Sequence, residues 1–85
     1  MKIKVLYFAL LRDAMGLSEE RVEVPESVNT VGALREWLMA RGEPSQSALA
    51  NAKRVRAALN QDMADMSAKI EAGDEVAFFP PVTGG

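Results

Sequence analysis

The chain has 85 residues, of which 48% are hydrophobic and 26% are charged. This length allows a single domain, and the composition is that of a folded globular protein. Ten basic and twelve acidic residues give a net charge of −2, and we see neither the basic excess nor the basic stripe that is typical of nucleic-acid binders. Histidine and cysteine do not occur, which excludes disulfides and thiol chemistry and removes the commonest general base and metal ligand.

The sequence contains no apolar run long enough to span a bilayer. The opening residues 1–5 alternate between polar and apolar types and are followed by no small-residue cleavage site, so they predict a strand and not a signal peptide. We therefore expect a cytoplasmic protein without a membrane partner. The acidic residues between positions 62 and 75 match no calcium-loop spacing, and we predict no metal site.

The first part of the chain predicts two strands joined by a helical turn. Residues 2–10 are rich in branched and aromatic residues and predict the first strand. Residues 12–16 predict a short helical turn closed by Gly16. Residues 19–24 alternate again and predict a second strand, antiparallel to the first.

The main helix is predicted after Thr30, which is a good N-cap. Val31, Leu34 and Leu38 follow at helical spacing. Gly42 stands where a helix end favours a left-handed residue.

The remaining segments are predicted to be a strand over 54–60, a polar turn over 60–62, an irregular or briefly helical stretch over 63–70, and a final strand over 75–79. Pro44 is also able to begin a second short helix within residues 44–53, and the sequence leaves this open. One amphipathic helix and about four strands predict an α+β fold, with a mixed sheet wrapped around the helix.

A distinctive tail follows the last strand. It reads Pro80-Pro81-Val82-Thr83-Gly84-Gly85. Its prolines lack a backbone N–H, so strand pairing is expected to stop before them. We predict a domain over residues 1–79 and an extended arm over residues 80–85. The final glycines lack a Cβ, so the arm is able to pass through a channel too narrow for a side chain.

The terminal carboxylate of Gly85 is a candidate reactive group. A carboxylate is a poor electrophile, but joining it to AMP creates a good leaving group that a sulfur nucleophile is able to displace. The product is a thiocarboxylate at the tip of an arm, a form of covalent chemistry that uses the chain end in place of a side chain. The alternative, a frayed terminus without function, stays open on these residues alone.

Residues 73–85 resemble the C-terminal signature of the molybdopterin synthase small subunit family, whose members are sulfur carriers. Residues 3–9 and 57–61 are also similar to that family, and the similarity spans nearly the whole chain. The resemblance implies a ubiquitin-like β-grasp fold. It also implies that Gly85, with Gly84 beside it, carries the acyl-adenylate and then the thiocarboxylate, while residues 80–83 enter the active site of a partner.

The resemblance implies three protein partners. A ubiquitin-activating-type adenylyltransferase would adenylate Gly85, a sulfur transferase would convert it to the thiocarboxylate, and the large subunit of molybdopterin synthase would receive the tail. The sulfur would then pass to cyclic pyranopterin monophosphate during molybdenum cofactor biosynthesis. No cofactor is expected to bind stably, only AMP and sulfur transiently at Gly85. The chain alone is not expected to be an enzyme.

A docking surface is predicted near the root of the tail. If Val5 faces the helix, then Leu6 and Phe8 face away from it, and Phe79 on the neighbouring final strand does the same. Exposed apolar patches of this kind mark interfaces, and Met63 is expected to join them. Two alternatives stay open: a one-residue bulge that reverses the faces, or packing of Phe8 beneath residues 11–18.

Other functions remain compatible with a Gly-Gly terminus on this fold. They are a sulfur carrier of the thiamine pathway, against which the Phe-Phe-Pro-Pro sequence argues, and a ubiquitin-like modifier joined to lysines. A further alternative is an interaction module with an inert tail.

Overall fold

The computed structural model describes residues 1–81 of the chain. Its elements are β1 (Lys2–Tyr7), α1 (Ala9–Met15), β2 (Glu19–Glu23), α2 (Val31–Ala40), α3 (Ser45–Leu49), a 3-10 turn (Ala52–Arg54), β3 (Arg56–Leu59), β4 (Asp62–Ala64) and β5 (Glu75–Phe79). The strands form one sheet in the order β2-β1-β5-β3-β4. Only β1 and β5 run parallel among these pairs; the other neighbours are antiparallel. This arrangement confirms the predicted α+β fold with a mixed sheet.

The hydrophobic core lies between one face of the sheet and α2. The fully buried side chains of this layer, each at most 1% exposed, are Ile3, Val5, Tyr7, Val31, Leu34, Leu38, Val76 and Phe78. Full burial of such a side chain contributes about 1.5–3 kcal/mol. The alternation along β1 and β5 therefore decides which face of each strand is turned to the helix, and the predicted faces are confirmed.

The start of α2 is held by the loop that precedes β5. Thr30 caps the helix as predicted, since its Oγ1 accepts a hydrogen bond from the backbone N–H of Ala33 at 3.0 Å. The N–H of Gly32 donates to the carbonyl oxygen of Met66 at 2.8 Å. A Cβ on Gly32 would lie 3.0 Å from that same oxygen, so the close approach of helix and loop depends on glycine.

The first strand is shorter than predicted. It ends at Tyr7, and α1 begins at Ala9, whose φ of 54° lies in the left-handed region. The helix closes at Gly16 with φ 77°, as predicted. The prediction of a strand to residue 10 was wrong because Leu11 and Met15, four residues apart, are the buried positions after Tyr7, and that spacing is helical.

A fifth strand occupies part of the segment predicted to be irregular. β4 pairs with β3 through a two-residue turn at Asn60 and Gln61, whose φ values of 49° and 73° are both positive. That is the backbone of a tight hairpin turn. The sequence left open whether residues 44–53 contain a second short helix, and in the structure Ser45–Leu49 form α3.

Ala9→Gly is expected to stabilise the protein. The left-handed conformation costs an alanine about 1–2 kcal/mol, whereas the extra freedom of glycine in the unfolded chain costs about 0.4–1 kcal/mol. We expect the free energy of unfolding to rise by about 0.5–1 kcal/mol. The matched control, Ala14→Gly in the exposed interior of the same helix, should lower it by about 0.5–1 kcal/mol. Urea unfolding measures both, and a destabilised Ala9→Gly would contradict the strain.

A polar network joins β1, β2 and α2 at one end of the sheet. The Tyr7 hydroxyl donates to Glu20 Oε2 at 2.7 Å, and Arg41 donates to both carboxylate oxygens of Glu20 at 2.9 Å each. Hydrogen bonding to Arg41 holds the pKa of Glu20 below its usual range. Burial, followed by the hydrogen bond to Glu20, raises the pKa of Tyr7, so its hydroxyl remains a donor. Arg41 also lies over the Trp37 ring, 5.6 Å from the centroid.

Glu20→Gln is expected to lower the free energy of unfolding by about 1.5–3 kcal/mol at pH 7, the range for hydrogen bonds to charged groups. Because folding lowers the pKa of Glu20, its stabilising effect is complete above the unfolded pKa of about 4.3. It is lost as the pH falls through the folded value. The wild type and the variant should therefore begin to converge in stability as the pH falls below about 4.3, and become equal below the folded pKa. Urea unfolding across this range tests it, with the exposed Glu26→Gln as control; a pH-independent difference would argue against the charge.

Candidate functional site

The tail leaves the centre of the sheet. β5 lies between β1 and β3. It ends at Phe79, directly before Pro80, and strand pairing was predicted to stop at this point because the prolines lack an N–H. Pro80 and Pro81 are half-buried. The remaining predicted site residues, Val82, Thr83, Gly84 and Gly85, lie outside the described residues. The structure therefore defines the root of the tail, and the chemistry predicted for its tip stays a prediction.

An apolar groove lies on the outer face of the sheet, beside the root of the tail. Its volume is about 330 Å³, and its lining residues are Leu6, Phe8, Ala58, Gln61, Glu75, Ala77 and Phe79. Strand register explains how they meet. Leu6 is opposite Ala77, and Ala77 is opposite Ala58, and residues directly opposite each other share one face of a sheet. Two alanines in this row leave a depression that the larger side chains border.

Three of the four residues predicted for the docking surface line this groove. Phe8 is 47% exposed, while Leu6 and Phe79 are half-buried. Their neighbours Val5 and Phe78 are fully buried, so the predicted assignment of faces is confirmed. Both alternatives are wrong: β1 and β5 pair in continuous register without a bulge, and Phe8 is too exposed to lie beneath residues 11–18.

Met63 extends the apolar surface beyond the groove. It is 70% exposed and lies opposite Ala58 in the β3–β4 pair, so it continues the row that crosses the groove. It lies on β4, at the edge of the sheet, whereas the stretch from residue 63 to residue 70 was predicted to be irregular or briefly helical. The outer-face patch is defined here as Leu6, Phe8, Ala58, Met63, Ala77 and Phe79.

Several contacts that position the groove were not predicted. Asn60 Nδ2 donates to Asp74 Oδ1 at 3.1 Å, and the N–H of Glu75 donates to Asn60 Oδ1 at 2.9 Å. These bonds lock the β3–β4 turn to the start of β5. The Asn-Gln-Asp sequence predicted the turn itself. It did not predict the contact between Asn60 and Asp74, because these residues are fourteen positions apart in the chain. The backbone N–H of Phe8 donates to the carbonyl of Phe78 at 3.1 Å and fixes the position of that aromatic side chain.

Leu10, 74% exposed at the start of α1, is a further apolar residue on the surface.

Within the described part of the chain, no three acidic residues come together in a way that would hold a metal ion. Among residues 1–81, none of the helices has the length and apolar character to cross a membrane.

Residues 5–85 match the ThiS family. The chain belongs to the ThiS family. A relative in Escherichia coli strain K12, named molybdopterin synthase sulfur carrier subunit, is 43% identical over 98% of this chain and 99% of its own length. The family match runs to Gly85 and includes the residues of the outer-face patch.

Solved structures with a similar fold are also known. Haloferax volcanii small archaeal modifier protein 1 superposes with a TM-score of 0.74 and 26% identity, covering 95% of this chain and 98% of its own. A chain in the protein–protein complex of subunits 1 and 2 of molybdopterin-converting factor from Helicobacter pylori superposes with a TM-score of 0.66 and 21% identity over both full lengths. These neighbours confirm the β-grasp fold.

Proposed function

We propose that this protein is the sulfur carrier subunit of molybdopterin synthase. The observation that carries the proposal is the relationship to carriers of that name over 98% of the chain, together with a family match that extends to Gly85. The apolar groove at the root of the tail supports it, because a carrier whose tip must enter another protein needs a docking surface close to where the tail leaves the fold.

The chemistry of the proposed cycle takes place at Gly85. An adenylyltransferase joins the carboxylate to AMP from ATP, and pyrophosphate leaves. A sulfur transferase supplies sulfur at the oxidation level of sulfide. This sulfur attacks the carbonyl carbon and displaces AMP, and the product is a thiocarboxylate. No cofactor is held permanently; AMP and sulfur are carried in turn. Because the activation step consumes ATP, we place this cycle in the cytoplasm.

In this proposal, residues 80–83 allow Gly85 to reach the active site of the partner. Pro80 and Pro81 hold the arm away from the sheet, and residues 82–83 connect them to the glycines. In the large subunit, the thiocarboxylate would donate its sulfur to cyclic pyranopterin monophosphate. The structure of the Helicobacter pylori complex supports the idea that proteins with this fold assemble with a second subunit. Catalytic side chains would come from the partners, which agrees with a chain that contains no histidine or cysteine.

A second candidate function is that of a ubiquitin-like modifier. The likeness to a small archaeal modifier protein favours it, because the activation step would be shared and only the acceptor would differ. In that case a lysine amine, and not a sulfur acceptor, would attack the activated Gly85 carbonyl.

Intact mass spectrometry separates these functions. The protein is incubated with ATP, the adenylyltransferase and a sulfur source, and a carrier gains the mass difference between one sulfur and one oxygen. A variant that lacks Gly85 is the matched control and should gain nothing. Adding the large subunit and cyclic pyranopterin monophosphate should return the carboxylate form. If the protein instead becomes joined to lysine side chains, the modifier function is favoured. If its mass does not change with an adenylyltransferase that is proven active on another carrier, activation at Gly85 is refuted.

A further inference from the structure

Three basic residues stand close together in the chain, in the 3-10 turn and at the start of β3. They are Lys53, Arg54 and Arg56, and we call them the basic cluster. All three are exposed. They are three of the ten basic residues in the chain, and residues 44–61 contain no acidic residue. The overall charge of −2 conceals this local excess.

The strand register places Arg56 beside the outer-face patch. Arg56 begins β3 and is opposite Phe79 in the β3–β5 pair, so it shares the outer face with that aromatic residue. The ion pairs of the described residues use other positive groups, namely the N-terminus, Lys4, Arg35 and Arg41. Arg56 thus puts a positive charge next to Phe79, on the side where the tail departs. Lys53 and Arg56 also line a separate cavity of about 330 Å³, to which Asp65 contributes.

The opposite end of the groove has a different charge. Glu75 lines the groove at the start of β5, four residues before Phe79, which corresponds to about 13 Å along a strand. A polyanion such as a nucleic acid that covered the whole groove would be repelled by this carboxylate. A protein surface is able to place a negative charge opposite Arg56 and a positive charge opposite Glu75. Charges around an apolar interface fix its register and speed association.

We propose that Arg56 binds acidic side chains on the protein that receives the tail, next to the channel that the tail enters. This inference rests on the proposed function and names the chemistry of the partner surface. The partner is the tail-receiving subunit, with carboxylates opposite Arg56 and apolar side chains opposite the groove. The contact orients the carrier so that the root of the tail faces the channel.

Binding of the full-length protein to the large subunit at two salt concentrations tests this. In about 50 mM salt, Arg56→Gln should weaken binding about threefold and Arg56→Glu about tenfold, because the second change adds repulsion to the lost pair. Both differences should shrink in about 500 mM salt, where charges are screened beyond about 4 Å. Lys69→Glu, an exposed residue beside the start of α2, makes the same change of charge away from the groove and should bind like the wild type.

The possible outcomes are distinct. If the wild type binds but Arg56→Glu binds equally well, or if Lys69→Glu weakens binding as much, the inference is wrong and the proposed function stands. If the wild type itself does not bind the large subunit, the proposed function fails. Tight binding of a 20-nucleotide DNA that Arg56→Glu abolishes would assign the basic cluster to nucleic acid and overturn the inference.

Discussion

Addition of one alanine after Gly85 is expected to abolish sulfur delivery while leaving the fold unchanged. The extension moves the reactive carboxylate by one residue, about 3.3–3.6 Å, and puts a Cβ into a channel that we expect to admit only glycine. Displacements of about 1 Å from productive geometry already cost about 100-fold in rate. We therefore expect thiocarboxylate formation to fall by at least about 100-fold, with no change in the melting temperature.

A cleavable extension provides the control for this result. A variant with a protease site after Gly85 should be inactive, and cleavage that regenerates Gly85 as the last residue should restore the sulfur mass shift. Thermal unfolding before and after cleavage should coincide, since the altered end follows the last strand. Full sulfur delivery by the uncleaved protein would remove the terminal carboxylate from the mechanism.

Phe79→Glu is expected to weaken binding of the large subunit by about 30-fold or more, the range for a central aromatic residue of an interface. The residue borders the groove beside the root of the tail, and a buried carboxylate there would lose its water without gaining a partner. Phe8→Ala should show a similar loss, because Phe8 is the most exposed aromatic of the outer-face patch. Titration calorimetry of each variant against the large subunit measures the effect.

Stability measurements separate binding from folding in these variants. Since Phe8 and Phe79 are only partly buried, each change should lower the free energy of unfolding by less than about 2 kcal/mol. Phe78→Ala, which removes a fully buried ring, should cost about 3–5 kcal/mol. Leu17→Glu changes an exposed apolar residue that does not line the groove, and should leave binding unaffected. If Phe8→Ala proves as destabilising as Phe78→Ala, the residue belongs to the core.

Sequence reasoning was most successful where a local signal matched the packing. Thr30 and the helical spacing of the apolar residues after it defined α2, and the alternation along β1 and β5 defined which residues face outward. The partial exposure of Phe8 and Phe79 followed from that alternation. Their binding role and the chemistry of Gly85 stay predictions.

The errors occurred where distant contacts decide the local structure. β4 has only three residues and begins after a turn whose second residue is Gln61. Glycine usually identifies such a turn, so the sequence did not predict that β4 pairs with β3. The strand predicted to residue 10 ends early because burial of Leu11 and Met15 favours a helix. The position of Arg56 beside Phe79 depends on strand register, which composition does not reveal.

The central position of β5 has a mechanical consequence for the tail. A pull along the arm is transmitted to a strand that is hydrogen-bonded on both sides, to β1 and to β3, and that carries fully buried side chains. Such strands are the last parts of a domain to open. In the proposed cycle, insertion of the arm into a channel and its withdrawal would therefore load the sheet in shear across two strand pairs. A domain held in this way would stay folded through repeated cycles.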